Sequence, residues 1–156
     1  VALASPERIA AELPQADAVI GAALVAGATA PKLVTRALLK SMKSGAVLVD
    51  VSIDQGGCFE TSHATNHTNP VFTVDGILHY CVANMPGAVP RTSAYALTQA
   101  TLPFIKKLAR LGIAAALRED AHLRDGLNVC AGAITQPAVA AALGYAWLDP
   151  MKALSD

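Results

Sequence analysis

The chain has 156 residues, no net charge and a pI near 7.1, a balance that gives no reason to expect nucleic acid or a membrane surface as a partner. Hydrophobic residues make up 53% and mean hydropathy is +0.41, so the chain can bury a core and is not of the disordered class. No apolar run reaches the roughly 18–20 residues of a spanning helix, and none has the layout of a signal peptide.

In chain order, residues 6–13 predict a short helix, with Ser5 as N-cap and Pro6 in the first position. Residues 18–24 are apolar throughout and read as a strand covered on both faces. Lys32 to Met42 predicts an amphipathic helix with Leu33, Val34, Ala37, Leu38 and Met42 on one side, ended by Gly45. A strand follows over 46–53, then two more over 71–74 and 77–83, with Asp75-Gly76 as their turn. Thr92 or Ser93 opens a long helix running to about Leu111, with Leu97, Thr101, Phe104, Ile105, Leu108 and Leu111 on one face. Pro103 should kink it near Gln99, and Gly112 ends it. Ala115 to Arg124 holds one or two short helical turns. Residues 135–143 form a last helix, with Pro137 in its first turn and Gly144 as its stop, and the tail from Tyr145 to Asp156 reads as irregular.

This order predicts an α/β fold: the second half of a doubly wound parallel sheet. A composition shift near Gly112 sets the expected boundary between residues 1–111 and 112–156. The first residue is Val1, already inside an expected element, so the chain is read as a fragment.

The run from Val47 to Glu60 ends a buried-strand pattern in Asp54 and the pair Gly56-Gly57. A carboxylate at the carboxyl end of a parallel strand sits where α/β folds place ligands. Asp54 is therefore either a carboxylate beside a cofactor, serving proton transfer or a cationic intermediate, or a turn cap. Gly56-Gly57 either admits a ligand to the backbone or makes a tight turn. About 30 residues on, Val82-Ala83-Asn84-Met85-Pro86 ends a second stretch, so one site built from two strand ends is expected. There Asn84 can pair with a planar carboxamide and Met85 can pack on a ring face, or both simply pack in the loop.

Other polar features read as structural. The stretch Gly21 to Gly27 is neither GxGxxG nor a P-loop, and Lys32 is too far from a suitable loop to serve phosphate. His63 and His67 are four apart but lie in a loop sequence, so no metal site is expected. His79 reads as a packing residue and His122 as exposed; Lys106-Lys107 and Arg118 to Arg124 read as solvated helix faces. The three cysteines, Cys58, Cys81 and Cys130, lack CxxC spacing, which suits reduced thiols in a cytoplasm. No Ser-His-Asp set, paired glutamates or HExxH supports hydrolysis.

Ile20 to Ala28, Ala30-Pro31-Lys32-Leu33-Val34, Val51 to Glu60, Tyr80 to Pro86 and Val89-Pro90-Arg91-Thr92-Ser93 closely resemble alanine dehydrogenase. The resemblance runs from about Asp17 to the end, and Asp-Gln-Gly-Gly-Cys-Phe-Glu and Val-Ala-Asn-Met-Pro are its specific runs. It implies NAD-dependent, reversible oxidation of L-alanine to pyruvate and ammonia, in a cytoplasmic homohexamer with a Rossmann-type cofactor domain. It implies that Asp54 is the catalytic aspartate by the nicotinamide ribose. Val51, Ser52, Ile53 and Asp54, with Val82, Ala83, Asn84 and Met85, would line the cofactor. Ala23 and Leu24 would lie near its adenosine side. The family's glycine-rich fingerprint and its substrate-binding lysine, arginine and histidine would precede Val1, so this chain alone is not expected to turn over. Its last part, from about Gly112, would pack on the missing substrate domain. The chain departs from the family at Ala4, where a ribose-contacting serine is frequent, and at Ala26 and Ser44, where proline is common.

Two alternatives remain. The NAD-binding subunit of a proton-translocating transhydrogenase is similar, but that family typically lacks an aspartate at position 54 and continues differently. A non-catalytic nucleotide-binding module belongs to another class. An in-frame glycine-rich βαβ unit ahead of Val1 would separate it from an enzyme.

Overall fold

The computed structural model describes residues 1–155; Asp156, in the tail read as irregular, lies outside the described residues. The chain forms two compact units, Val1–Ala88 and a second from Val89 onward.

The first unit carries a four-stranded sheet made of β1 (Ala18–Gly21), β2 (Val47–Asp50), β3 (Val71–Val74) and β4 (Ile77–Tyr80), in the order β1-β2-β4-β3. β1, β2 and β4 run parallel, and β3 returns antiparallel beside β4. The fold is α/β with a mostly parallel sheet, as expected. The β3–β4 hairpin turns at Asp75-Gly76, both with positive φ (51° and 82°), which is the primed turn that matches strand twist.

Helix α1 (Pro6–Glu12) starts as predicted: the Ser5 side chain accepts from the Arg8 N–H and Pro6 opens the helix. The helix expected over Lys32 to Met42 shrinks to α2 (Arg36–Leu39), capped by Thr35. Tertiary pairing overrides the periodicity upstream of Thr35. The N–H groups of Leu33 and Val34 donate to Cys58 O, and Val34 bridges to Phe59 as in a parallel strand. Lys40 to Met42 follow as turns rather than helix.

Leu13, Val34, Leu39, Met42, Leu48, Phe59 and Ile77 form the core on one face of the sheet, each contributing roughly 1.5–3 kcal/mol by burial. Register puts Val19, Leu48 and His79 in one row toward that core and Ile20, Val49 and Tyr80 in a row on the other face. Ile20 is 70% exposed, so β1 is not covered on both faces as its composition implied. The strand expected to reach Ile53 ends at Asp50 and gives way to a 3₁₀ turn, Ile53–Gln55.

The second unit begins with α3 (Pro90–Leu111), which runs on through Pro103 and buries no residue. Helices α4 (Ile113–Glu119) and α5 (Ala121–Arg124) follow, then a hairpin of β5 (Val129–Cys130) and β6 (Ala133–Ile134) that the sequence reading missed. Helix α6 (Pro137–Leu143) ends at Gly144 as predicted. The tail is not irregular throughout: Asp149 accepts from the N–H groups of Met151 and Lys152 and caps α7 (Pro150–Ala153). Nor are the basic residues all solvated faces. Lys107 pairs with Glu119 and Asp120, Arg118 donates to Leu154 O, and Arg124 donates to Leu117 O and Arg118 O.

Candidate active site

Three chain segments meet at the carboxyl edge of the parallel strands, all in the first unit. After β1, Gly21 O accepts from the Val51 N–H at 2.8 Å, and Ala23 O accepts from the Ser52 hydroxyl at 2.7 Å. After β2, the 3₁₀ turn carries Asp54 outward while Ile53 packs inward. After β4, the Asn84 N–H donates to Asp54 Oδ2 at 3.4 Å. Every sequence-predicted site residue lies on one of these segments. Leu24, Val51, Asp54 and Asn84 are exposed; Ala23, Ser52, Ala83 and Met85 are half-buried. Ile53 and Val82 are buried, so their side chains are not offered to a ligand.

Glycine is required at position 21 by close packing. A Cβ there would overlap Cys58 Sγ and lie 2.7 Å from the Phe59 ring, well inside contact distance.

A second aspartate, Asp50, closes β2 and is fully buried. Its carboxylate accepts from the Cys58 N–H (2.9 Å), the Phe59 N–H (3.3 Å) and the Ser62 hydroxyl (2.6 Å). It folds the chain beyond Asp54 back onto the sheet end. Lys32 grips the same loop by donating to the carbonyls of Gly56, Gly57 and Phe59, so its ammonium group serves main chain. Glu60 accepts from the Arg36 N–H at 2.6 Å, at the start of α2. No buried side-chain nitrogen or oxygen among the described residues lacks a partner.

Burial, with the Asp50 carboxylate adding to it, pushes the Cys58 thiol up, and burial likewise raises Cys81. Both stay protonated thiols and poor nucleophiles. His79 is buried, as read from its strand position. Its Nδ1 faces the Ile77 carbonyl at 2.9 Å and its Nε2 lies 2.8 Å from the Thr61 hydroxyl. A carbonyl only accepts, so Nδ1 carries the proton in the neutral ring. Burial lowers the imidazole pKa.

Sequence reasoning missed Asp50 and the loop that flanks Asn84. Thr65 pairs with the end of β4, donating to Cys81 O and accepting from the Ala83 N–H. That pairing brings His67 to the rim, where its Nε2 lies 3.1 Å from Asn84 O. Among the described residues no cluster of three or more His, Cys, Asp or Glu side chains is arranged to hold a metal. No described helix is long and apolar enough to cross a membrane.

Comparison with known proteins places this geometry. The family described as alanine dehydrogenase/PNT, C-terminal domain, matches residues 1–137. The alanine dehydrogenase of Halomonas elongata is 58% identical over 86% of this chain and 36% of its own length. That of Bacillus subtilis is 48% identical over 99% of this chain and 41% of its own. Among solved structures, an L-alanine dehydrogenase superposes with a TM-score of 0.74 at 47% identity, covering 90% of this chain and 39% of that one. A transhydrogenase from Sinorhizobium meliloti gives 0.63 at 27% identity, covering 86% and 36%. The chain spans about two fifths of the length of the relatives it matches. A family match across most of the chain, with relatives about half identical to it, leaves one conclusion: this chain belongs to the alanine dehydrogenase/PNT C-terminal domain family.

Proposed function

We propose that this chain supplies the C-terminal part of an NAD-dependent alanine dehydrogenase, an enzyme that reversibly converts L-alanine and water to pyruvate and ammonia. The observation that carries the reading is the exposed Asp54 carboxylate at the carboxyl edge of the sheet, met there by the Asn84 N–H. Open α/β sheets bind their ligands at this edge.

The rim suits a dinucleotide. Exposed Leu24 and Val51 offer apolar surface to planar rings, and the exposed Asp54 and Asn84 offer polar side chains to ribose and carboxamide. In this reading Val51 to Asp54 and Val82 to Met85 line the nicotinamide side, and Ala23 and Leu24 lie toward the adenosine. Bound there, oxidised nicotinamide would supply the hydride acceptor for the alanine Cα. In this reading Asp54 would stabilise positive charge on the iminium carbon of the substrate or take part in proton transfer there. The Asn84 N–H holds that carboxylate in place.

Residues from 112 onward would return to a substrate domain. Ile113, Tyr145 and Trp147, all exposed, are the surface such a domain would cover. The whole protein would be a cytoplasmic homohexamer carrying its substrate-binding lysine, arginine and histidine ahead of Val1.

The test uses the protein translated from the upstream start of its gene. Absorbance of the reduced cofactor is followed with L-alanine and NAD. An alanine-dependent rise supports the dehydrogenase. NADH binding with no alanine-dependent signal favours a transhydrogenase subunit or a nucleotide-binding module instead.

A further inference from the structure

His67 comes from a loop that carries no other assignment, yet it sits at the rim. Asn66 Oδ1 accepts from the N–H groups of Thr68 and Asn69, and the Thr65 hydroxyl donates to Pro70 O. These bonds close the loop tightly. Thr65 anchors it beside the end of β4, and the result is a His67 ring against Asn84 rather than in free solvent.

The φ of Asn84 is +55°, in the left-handed region that few residues other than glycine and asparagine adopt. Its main chain is held at both ends. The N–H donates to Asp54 Oδ2, while the carbonyl accepts from the Gly87 N–H at 2.9 Å and faces His67 Nε2 at 3.1 Å. A carbonyl has no proton to give, so the imidazole must donate from Nε2. Position 87 is also close: a Cβ on Gly87 would lie 3.1 Å from Asn84 Nδ2 and 3.4 Å from His67 Nε2. The three residues pack as one corner.

We propose that His67 is a positioning residue of the cofactor rim: its Nε2–H holds the Asn84 carbonyl and so keeps the Val82 to Met85 segment in its cofactor-lining place. The role rests on the dehydrogenase reading for its effect on turnover, but not for its effect on nucleotide binding. His67 touches no reacting atom. It acts through the backbone of Asn84, and its side chain is exposed, so replacing it leaves the core intact.

The experiment compares the full-length protein with His67→Phe and His67→Gln, reading NADH affinity, the KM for NAD, the KM for L-alanine and the thermal midpoint. Phe fills the space without a donor, whereas the Gln carboxamide restores one. Expected for His67→Phe is a loss of about five- to tenfold in NADH affinity and a matching rise in the KM for NAD. The KM for alanine stays within about twofold, and His67→Gln recovers most of the loss. Wild-type affinity in His67→Phe overturns the proposal. So do equal losses in Phe and Gln at unchanged thermal midpoints, because the donor would then be irrelevant. A wild type that binds NADH without oxidising alanine defeats the dehydrogenase reading alone, and the NADH affinities of the two variants still decide the role of His67.

Discussion

Two aspartates four residues apart have opposite environments. Asp50 ends a strand inside the protein and accepts hydrogen bonds from two main-chain N–H groups and a hydroxyl. Asp54 lies one turn later in the open, with a long bond from the Asn84 N–H. The first carboxylate spends its acceptor capacity on the chain that follows it; the second leaves most of its capacity open, as its proposed role beside a cofactor requires. A buried carboxylate anchors the loop, and that anchored loop presents the exposed one.

The largest separation between them should appear in turnover. Asp54→Asn in the full-length protein is expected to lower alanine oxidation by about 10²–10⁴-fold with an unchanged urea midpoint. A large stability loss in that variant would mean that Asp54 belongs to the scaffold. Asp50→Ala should do the reverse to the fold. It strands the Cys58 and Phe59 N–H groups in the interior, and an unfolding titration should show a loss of about 3 kcal/mol. An unaffected midpoint would show that the loop needs no anchor.

His79 sharpens the comparison from the scaffold side. Burial lowers its pKa below the ordinary 6.5, so the unfolded chain takes up a proton that the folded chain resists. Stability tied to this ring is present above pH 6.5 and falls as acid is added below it. Thermal midpoints across pH 5 to 8 should show a drop on the acid side that is reduced in His79→Gln. An identical acid-side slope in that variant would remove His79 as its source. The smallest effect is expected at Ser52, whose hydroxyl ties the β2 segment to Ala23 O. Ser52→Ala should weaken NADH binding by about three- to fivefold; no change would mean that the β1 segment is held without that bond.

Much of the scaffold was legible because its signals are local. The Ser5 cap, the Asp75-Gly76 turn and the Gly144 stop each need only their neighbours in sequence, and the structure has all of them. Lys32 to Met42 misled because apolar spacing there serves a bridge to Phe59, which no local window contains. The Val129–Ile134 hairpin is two residues a side and turns at Ala131-Gly132, both with positive φ, so only Gly132 carries a turn signal and the strands are too short to show a period. Asp54 stood out by its place before a glycine pair. Asp50 did not, since an aspartate within a strand pattern looks alike whether buried or bare; donors at positions 58 and 62 decide it. His67 reads in sequence only as a loop residue ill placed for a metal; its contact with Asn84, 17 positions away, lies outside any local window.

In the proposed reading Asp54 serves chemistry while the fold around it belongs to Asp50. The most direct test is NADH titration of full-length Asp54→Asn, on the same sample whose alanine-dependent NADH formation is measured. Wild-type NADH affinity within about threefold alongside collapsed turnover is expected. Binding and turnover lost together, or turnover retained, would contradict it.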